Sequence, residues 1–87
     1  MQKRAYARPL ALAGLREAWK RAAGERIAER TRVAGWRDGT LTVEVPSASQ
    51  RYELEAFHAA TLLSALGQDS TIPRVTRLVF RIGNSST

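Results

Sequence analysis

Polar and apolar residues alternate in two stretches of this chain and recur at helical spacing in two others. Val33 to Pro46 has the pattern of a β-hairpin. Asp38-Gly39 is the pair that a type I′ turn favours, because both central positions take φ > 0. After the turn, Leu41, Val43 and Val45 alternate with Thr40, Thr42 and Glu44, the period of a half-buried strand. A two-residue loop pairs Arg37 with Thr40, Trp36 with Leu41 and Ala34 with Val43. That register places Trp36, Ala34, Leu41, Val43 and Val45 on one face, and a slip of one residue would bury Thr and Glu instead. A lone hairpin is marginal in water, so the rest of the chain must cover its apolar face.

Residues 1–9 are polar and basic and end in Pro9, the composition of a loose arm. From about Leu10 to Arg30 the residues are strong helix formers, with Leu12, Leu15, Trp19 and Ala22 on one apolar face. Gly24 predicts a break, followed by a short turn through Ile27-Ala28. Trp19 is either core, covering the hairpin, or a partly exposed anchor for another protein. Pro46 ends the hairpin, since it cannot donate to a ladder. Ser47 to Gln50 fits a capping box that opens a second helix. That helix is expected to reach Leu66, with Gly67 just past its end. Leu54, Phe57, His58, Leu62 and Leu66 form its apolar arc. Beyond a loop, Leu78, Phe80 and Ile82 alternate with Arg77, Val79 and Arg81 as a third strand.

The order is α-β-β-α-β: one domain over 10–83 between a basic arm, 1–9, and a disordered tail, 84–87. The fold class is α+β, a two-layer sandwich with two helices on one face of a three-stranded sheet. Its uncovered face would carry Arg37, Thr40, Thr42, Arg77, Val79 and Arg81. Which strand the third one pairs with is left open.

Eighty-seven residues, 44% of them apolar, suit a single small globular domain. Its stability scales to about 4–13 kcal/mol. The chain has no cysteine, so disulfides and zinc fingers drop out and a reducing cytoplasm fits. No apolar run approaches a membrane span. Met1 to Leu15 faintly resembles a signal peptide, but its apolar part is short and passes straight into a charged amphipathic helix. Charge says more. The net is +6, and all eight acidic residues lie between Glu17 and Asp69, where seven basic residues roughly balance them. The excess therefore falls on the two ends of the chain, as Lys3, Arg4, Arg8 and Arg16 and then Arg74, Arg77 and Arg81. Such asymmetry points to a polyanionic partner.

No catalytic constellation is present in the sequence. A metal site needs several converging ligands, and this chain has one histidine and scattered acids. His58 on a mostly buried helix face has no nucleophile elbow beside it. No Gly-rich phosphate loop follows a strand. Catalytic, cofactor-binding and metal-binding residues are thus expected to be none. What remains is binding. Arginine suits phosphate because its planar fork donates in pairs. Lys3, Arg4 and Arg8 on the arm, with Arg37, Arg77 and Arg81 on the open sheet face, are the expected nucleic-acid contacts. With little aromatic surface there, backbone contact is favoured over base reading. Neutralising about four phosphates of duplex DNA predicts a log–log salt slope near −3.6.

The chain also resembles the DciA family of bacterial replication proteins. The resemblance runs from about Leu15 to Gly83. It is carried by Leu15-x3-Trp19-x4-Gly24-x2-Ile27-Ala28-x2-Thr31, by Asp38-Gly39-x-Leu41-x-Val43-x-Val45-x-Ser47, by Glu53-Leu54 and by Val79-x-Arg81-Ile82-Gly83. It implies a KH-like fold and a cytoplasmic protein without an ATPase of its own. The implied partners are the hexameric replicative DNA helicase and single-stranded or tailed DNA onto which that helicase is loaded, with no membrane and no small-molecule substrate. The resemblance implicates Trp19 in the partner role. The chain has no Gly-x-x-Gly loop of the kind that clamps RNA in KH modules. It also lacks the long extra tail of many members, so DNA contacts would fall on the arm or the sheet face. The alternative is a free-standing KH-like nucleic-acid-binding module without a helicase partner.

Overall fold

The computed structural model describes residues 9–83, with side chains from Leu12 onward. Lys3, Arg4, Arg8 and the tail 84–87 lie outside the described residues. The elements run α1 (Pro9–Ala23), α2 (Glu25–Arg30), β1 (Arg32–Arg37), β2 (Thr40–Val45), α3 (Ala48–Glu53), a π-helical turn (Leu54–His58), α4 (Ala59–Gly67) and β3 (Arg77–Ile82). Gly24, at φ 87°, is where α1 breaks. Its N–H still donates to the Lys20 carbonyl and its own carbonyl accepts from Ala28, both at 2.9 Å, so it closes one helix and opens the next. Ser47 caps α3 by accepting from the Gln50 N–H at 3.2 Å, as the capping pattern predicts.

The sheet has the order β1-β2-β3. A tight turn joins β1 to β2 antiparallel, with φ positive at Asp38 (50°) and Gly39 (85°), as a type I′ turn requires. The helical crossover of 48–67 brings β3 back parallel to β2, so β2 is central. Gly39 also anchors the entry to β3. Its carbonyl accepts from the N–H groups of Thr76 and Arg77, at 2.8 and 3.1 Å. A Cβ here would lie 2.6 Å from the Thr76 Oγ1, in a backbone conformation that L side chains resist. Only glycine meets both demands.

Helices cover one side of the sheet. Leu15, Leu41 and Val43 are fully buried, and Ala18, Trp19, Val33, Val45, Leu54, Leu62, Leu66, Val75 and Phe80 complete the core. Trp19 is the staple of this layer. Its Nε1–H donates to the Thr31 Oγ1 at 2.9 Å, and that hydroxyl donates in turn to the Ile27 carbonyl at 2.8 Å. Its ring sits 6.2 Å from Phe80, tilted by 58°. One side chain thus joins α1, the end of α2 and β3.

Three expectations change. Ala34 does not face Val43. The ladder pairs Val33 with Val43 and Gly35 with Thr42, leaving Ala34 as the extra residue of a β-bulge. The bulge turns the larger, β-branched Val33 into the core, where it is 4% exposed. Phe57 leaves the apolar arc and is 70% exposed. An unbroken α-helix advances about 100° per residue, which would set Leu62 about 80° off the line of Leu54. The wider π turn advances roughly 80° per residue and absorbs that offset, so both leucines are buried while Phe57 swings about 120° away from Leu54. Ile82, the last residue of an edge strand with a neighbour on one side only, is 43% exposed rather than core.

In the last turn of α1, Arg21 bridges to Asp69 at 2.7 Å, and Asp69 also accepts from the hydroxyl and the N–H of Thr71. The Thr71 hydroxyl, then the Arg21 guanidinium, hold this carboxyl down from 3.8 to about 2. A carboxyl with a depressed folded-state pKa stabilises the fold above its unfolded value, and that stabilisation fades as pH falls through the folded value. Unfolding measured from pH 5 to 2 should therefore show stability dropping below about pH 4. Asp69→Asn should flatten that drop. An acid profile identical in the two proteins would mean that the bridge carries no linkage.

Candidate nucleic-acid interface

Strand alternation assigns the uncovered face. Opposite the core positions Leu41, Val43 and Val45, β2 presents Thr40, Thr42 and Glu44. The register places Arg37 and Arg77 on either side of Thr40, Gly35 and Val79 beside Thr42, and Arg32 and Arg81 beside Glu44. The face is therefore three cross-strand rows: two arginines at the hairpin end, a small neutral row in the middle, and two arginines around a carboxylate at the far end. With strands about 4.8 Å apart, the two arginines of each row are set roughly 10 Å apart at their Cα atoms.

The two basic rows differ electrostatically. At the far end, Arg32 Nη2 reaches Glu44 Oε1 at 2.8 Å and Arg81 Nη2 reaches Oε2 at 2.6 Å. The hydrogen bond from Arg81, then that from Arg32, lowers the Glu44 pKa, so this carboxylate is charged wherever the protein is folded near neutrality. At the hairpin end, Arg37 makes only a loose 3.9 Å approach to Asp38, and both side chains are largely exposed. Among the described residues no carboxylate lies within ion-pair distance of Arg77 or of the exposed Arg74. Arg74 joins this end through its carbonyl, which accepts from the Trp36 Nε1–H at 3.0 Å.

Of the expected contacts, the structure thus brings Arg37 and Arg77 together on an open face. Arg81 lies on the same face but is held by Glu44. Trp19 is 2% exposed, so its ring offers no surface to a partner in this conformation. Arg32 escaped sequence reasoning for a specific reason. Without the bulge it shares the phase of Ala34 and Trp36 and would point to the core side. The extra residue reverses that phase and sets it beside Glu44.

Two other surfaces stand out. An open groove of about 530 Å³ between α2 and α3 is lined by Ile27, Arg30, Gln50, Glu53, Leu54 and the half-buried His58, among others. Among the described residues no three of His, Cys, Asp and Glu converge as metal ligands, and no helix is long and apolar enough to cross a membrane. On the outside of the π turn, Tyr52 and Phe57 are 67% and 70% exposed and meet edge to face, with centroids 6.5 Å apart at 89°. Isolated exposed aromatics are ordinary, but two meeting edge to face form an apolar patch.

No curated protein matches the chain significantly. A family model described as Dna[CI] antecedent, DciA does, over residues 1–80 of the 87. With that match spanning the helices, the hairpin and most of β3, the chain belongs to the DciA family and so, in general terms, stands with the helicase-loader-type proteins of DNA replication.

Proposed function

We propose that this protein binds the hexameric replicative DNA helicase and assists its loading on single-stranded DNA in the bacterial cytoplasm, without catalysis of its own. Family membership over residues 1–80 is the observation that carries this reading. The DNA contact is weak and indifferent to sequence. It is supported by Arg37 and Arg77, exposed in one row of an uncovered sheet face with no exposed aromatic ring among them for stacking a base. The helicase contact is supported by the Tyr52–Phe57 patch on the opposite layer of the sandwich. Trp19 then acts through the shape of the helical layer rather than by touching the partner.

Light scattering of the protein mixed with its host's replicative helicase, with and without single-stranded DNA, tests the proposal. A complex that survives nuclease treatment is expected. Complexes that vanish with nuclease would point to a free-standing nucleic-acid-binding module. For the DNA half, replacing Arg37 and Arg77 by alanine together should make the single-strand log–log salt slope shallower by about 1.4, two lost phosphate contacts at about 0.7 each. Binding that is already flat with salt in the wild type would sink that half.

A further inference from the structure

Glu44 is the only carboxylate among the rows of the open face, and it stands on the central strand between two arginines. We propose that Glu44 is a built-in substitute for phosphate: it occupies Arg32 and Arg81, confines nucleic-acid backbone to the hairpin-end row, and keeps the affinity of the face low. The inference rests on the DNA-binding reading above and names what limits it.

The geometry supports this in three ways. Each carboxylate oxygen takes one guanidinium, at 2.8 and 2.6 Å, so both oxygens are committed. Pairing on both sides fixes the Glu44 backbone, and Gly83 packs beside its side chain. The Gly83 N–H is tied to the Val45 carbonyl at 2.8 Å, and an added Cβ on Gly83 would lie 3.1 Å from Glu44 Oε1. Exposed ion pairs between free side chains are weak, but here one charge is fixed by the ladder between the two others. There is also room for a phosphate. A cleft of about 130 Å³ lies against Glu44, walled by Arg30, Thr31, Arg32, Val45, Pro46 and Gly83. A phosphate entering it meets Arg30 and Arg32 together with the like charge of Glu44. The row therefore presents one net positive charge in place of two.

Glu44→Gln keeps the shape and removes the charge. Binding of a labelled oligothymidylate, followed as a function of salt, should become about tenfold tighter at low salt. Its log–log slope should steepen by about 1.4, the signature of two added single-strand phosphate contacts. Replacing Arg32 and Arg81 by alanine in the Glu44→Gln background should abolish the gain and return binding to within about twofold of the wild type. A slope unchanged by Glu44→Gln would overturn the proposal. So would a variant lacking Arg32 and Arg81 in the Glu44→Gln background that binds as tightly as Glu44→Gln alone.

A second measurement needs no variant. In the wild type, the arginine Nε–Hε resonances of Arg37 and Arg77 should move at saturating oligonucleotide while those of Arg32 and Arg81 stay in place; movement of all four alike overturns the proposal. If neither protein binds at low salt, the DNA reading fails along with it. If the wild type binds through Arg37 and Arg77 but Glu44→Gln adds nothing, only the role of Glu44 fails.

Discussion

Trp19→Ala should cost about 3–5 kcal/mol, the usual range for emptying a buried aromatic site. The whole fold has about 4–13 kcal/mol to lose, so at the low end of that range a substantial part of the population would be unfolded near 37 °C. The side chain is 2% exposed and touches three elements at once, and its loss also leaves the Thr31 hydroxyl without its indole donor. Trp19→Phe is the milder change: it keeps a ring against Phe80 but gives up the indole N–H and some volume, and should lose roughly 1–2 kcal/mol. Chemical unfolding followed by circular dichroism measures both. A Trp19→Ala protein as stable as the wild type would show that the ring is not structural. The same pair of variants separates fold from contact. Trp19→Ala should lose helicase association along with its fold, whereas Trp19→Phe should remain folded and still bind. A folded Trp19→Phe protein that no longer binds would place the indole itself in the interface.

The second large effect is expected at the exposed aromatics. Replacing Tyr52 and Phe57 by serine together should weaken helicase association about 30-fold or more, since buried aromatic anchors at protein interfaces are commonly worth 2 kcal/mol or more. Stability should change by no more than about 0.5 kcal/mol, because neither ring is part of the core. The π turn is what makes the patch: an unbroken α-helix would carry Phe57 back toward the apolar arc, and the two rings would not share the outer surface. Unchanged helicase affinity in the folded double variant would move the docking surface elsewhere, with the groove beside His58 the next region to test by substitution.

Much of this architecture is written locally. The Asp38-Gly39 turn, the break at Gly24, the Ser47 cap and the alternation of β2 each depend on a few adjacent residues whose conformational preferences agree, so they are readable without any tertiary contact. The order of the elements and the apolar faces of α1 and β2 follow from the same periodicities. The excess of arginine at the ends of the chain also needs no fold to be seen.

Other features depend on residues far apart in the chain. Whether β3 joins β1 or β2 is decided by where the helical crossover returns, and no single strand's pattern contains that. The bulge at Ala34 and the π turn at Leu54–His58 each insert one residue of phase so that Val33 and Leu62 reach the core. Each sends another residue, Arg32 or Phe57, to a surface where strict periodicity would not place it. The meeting of Glu44 with Arg32 and Arg81 exists only once three strands lie side by side. Sequence alone determined the pieces of this protein and the sign of its charge. Packing decided which arginines are left for a partner and which are held by the protein itself, because burial rewards filling the core even where a strand or helix must slip by one residue to do so.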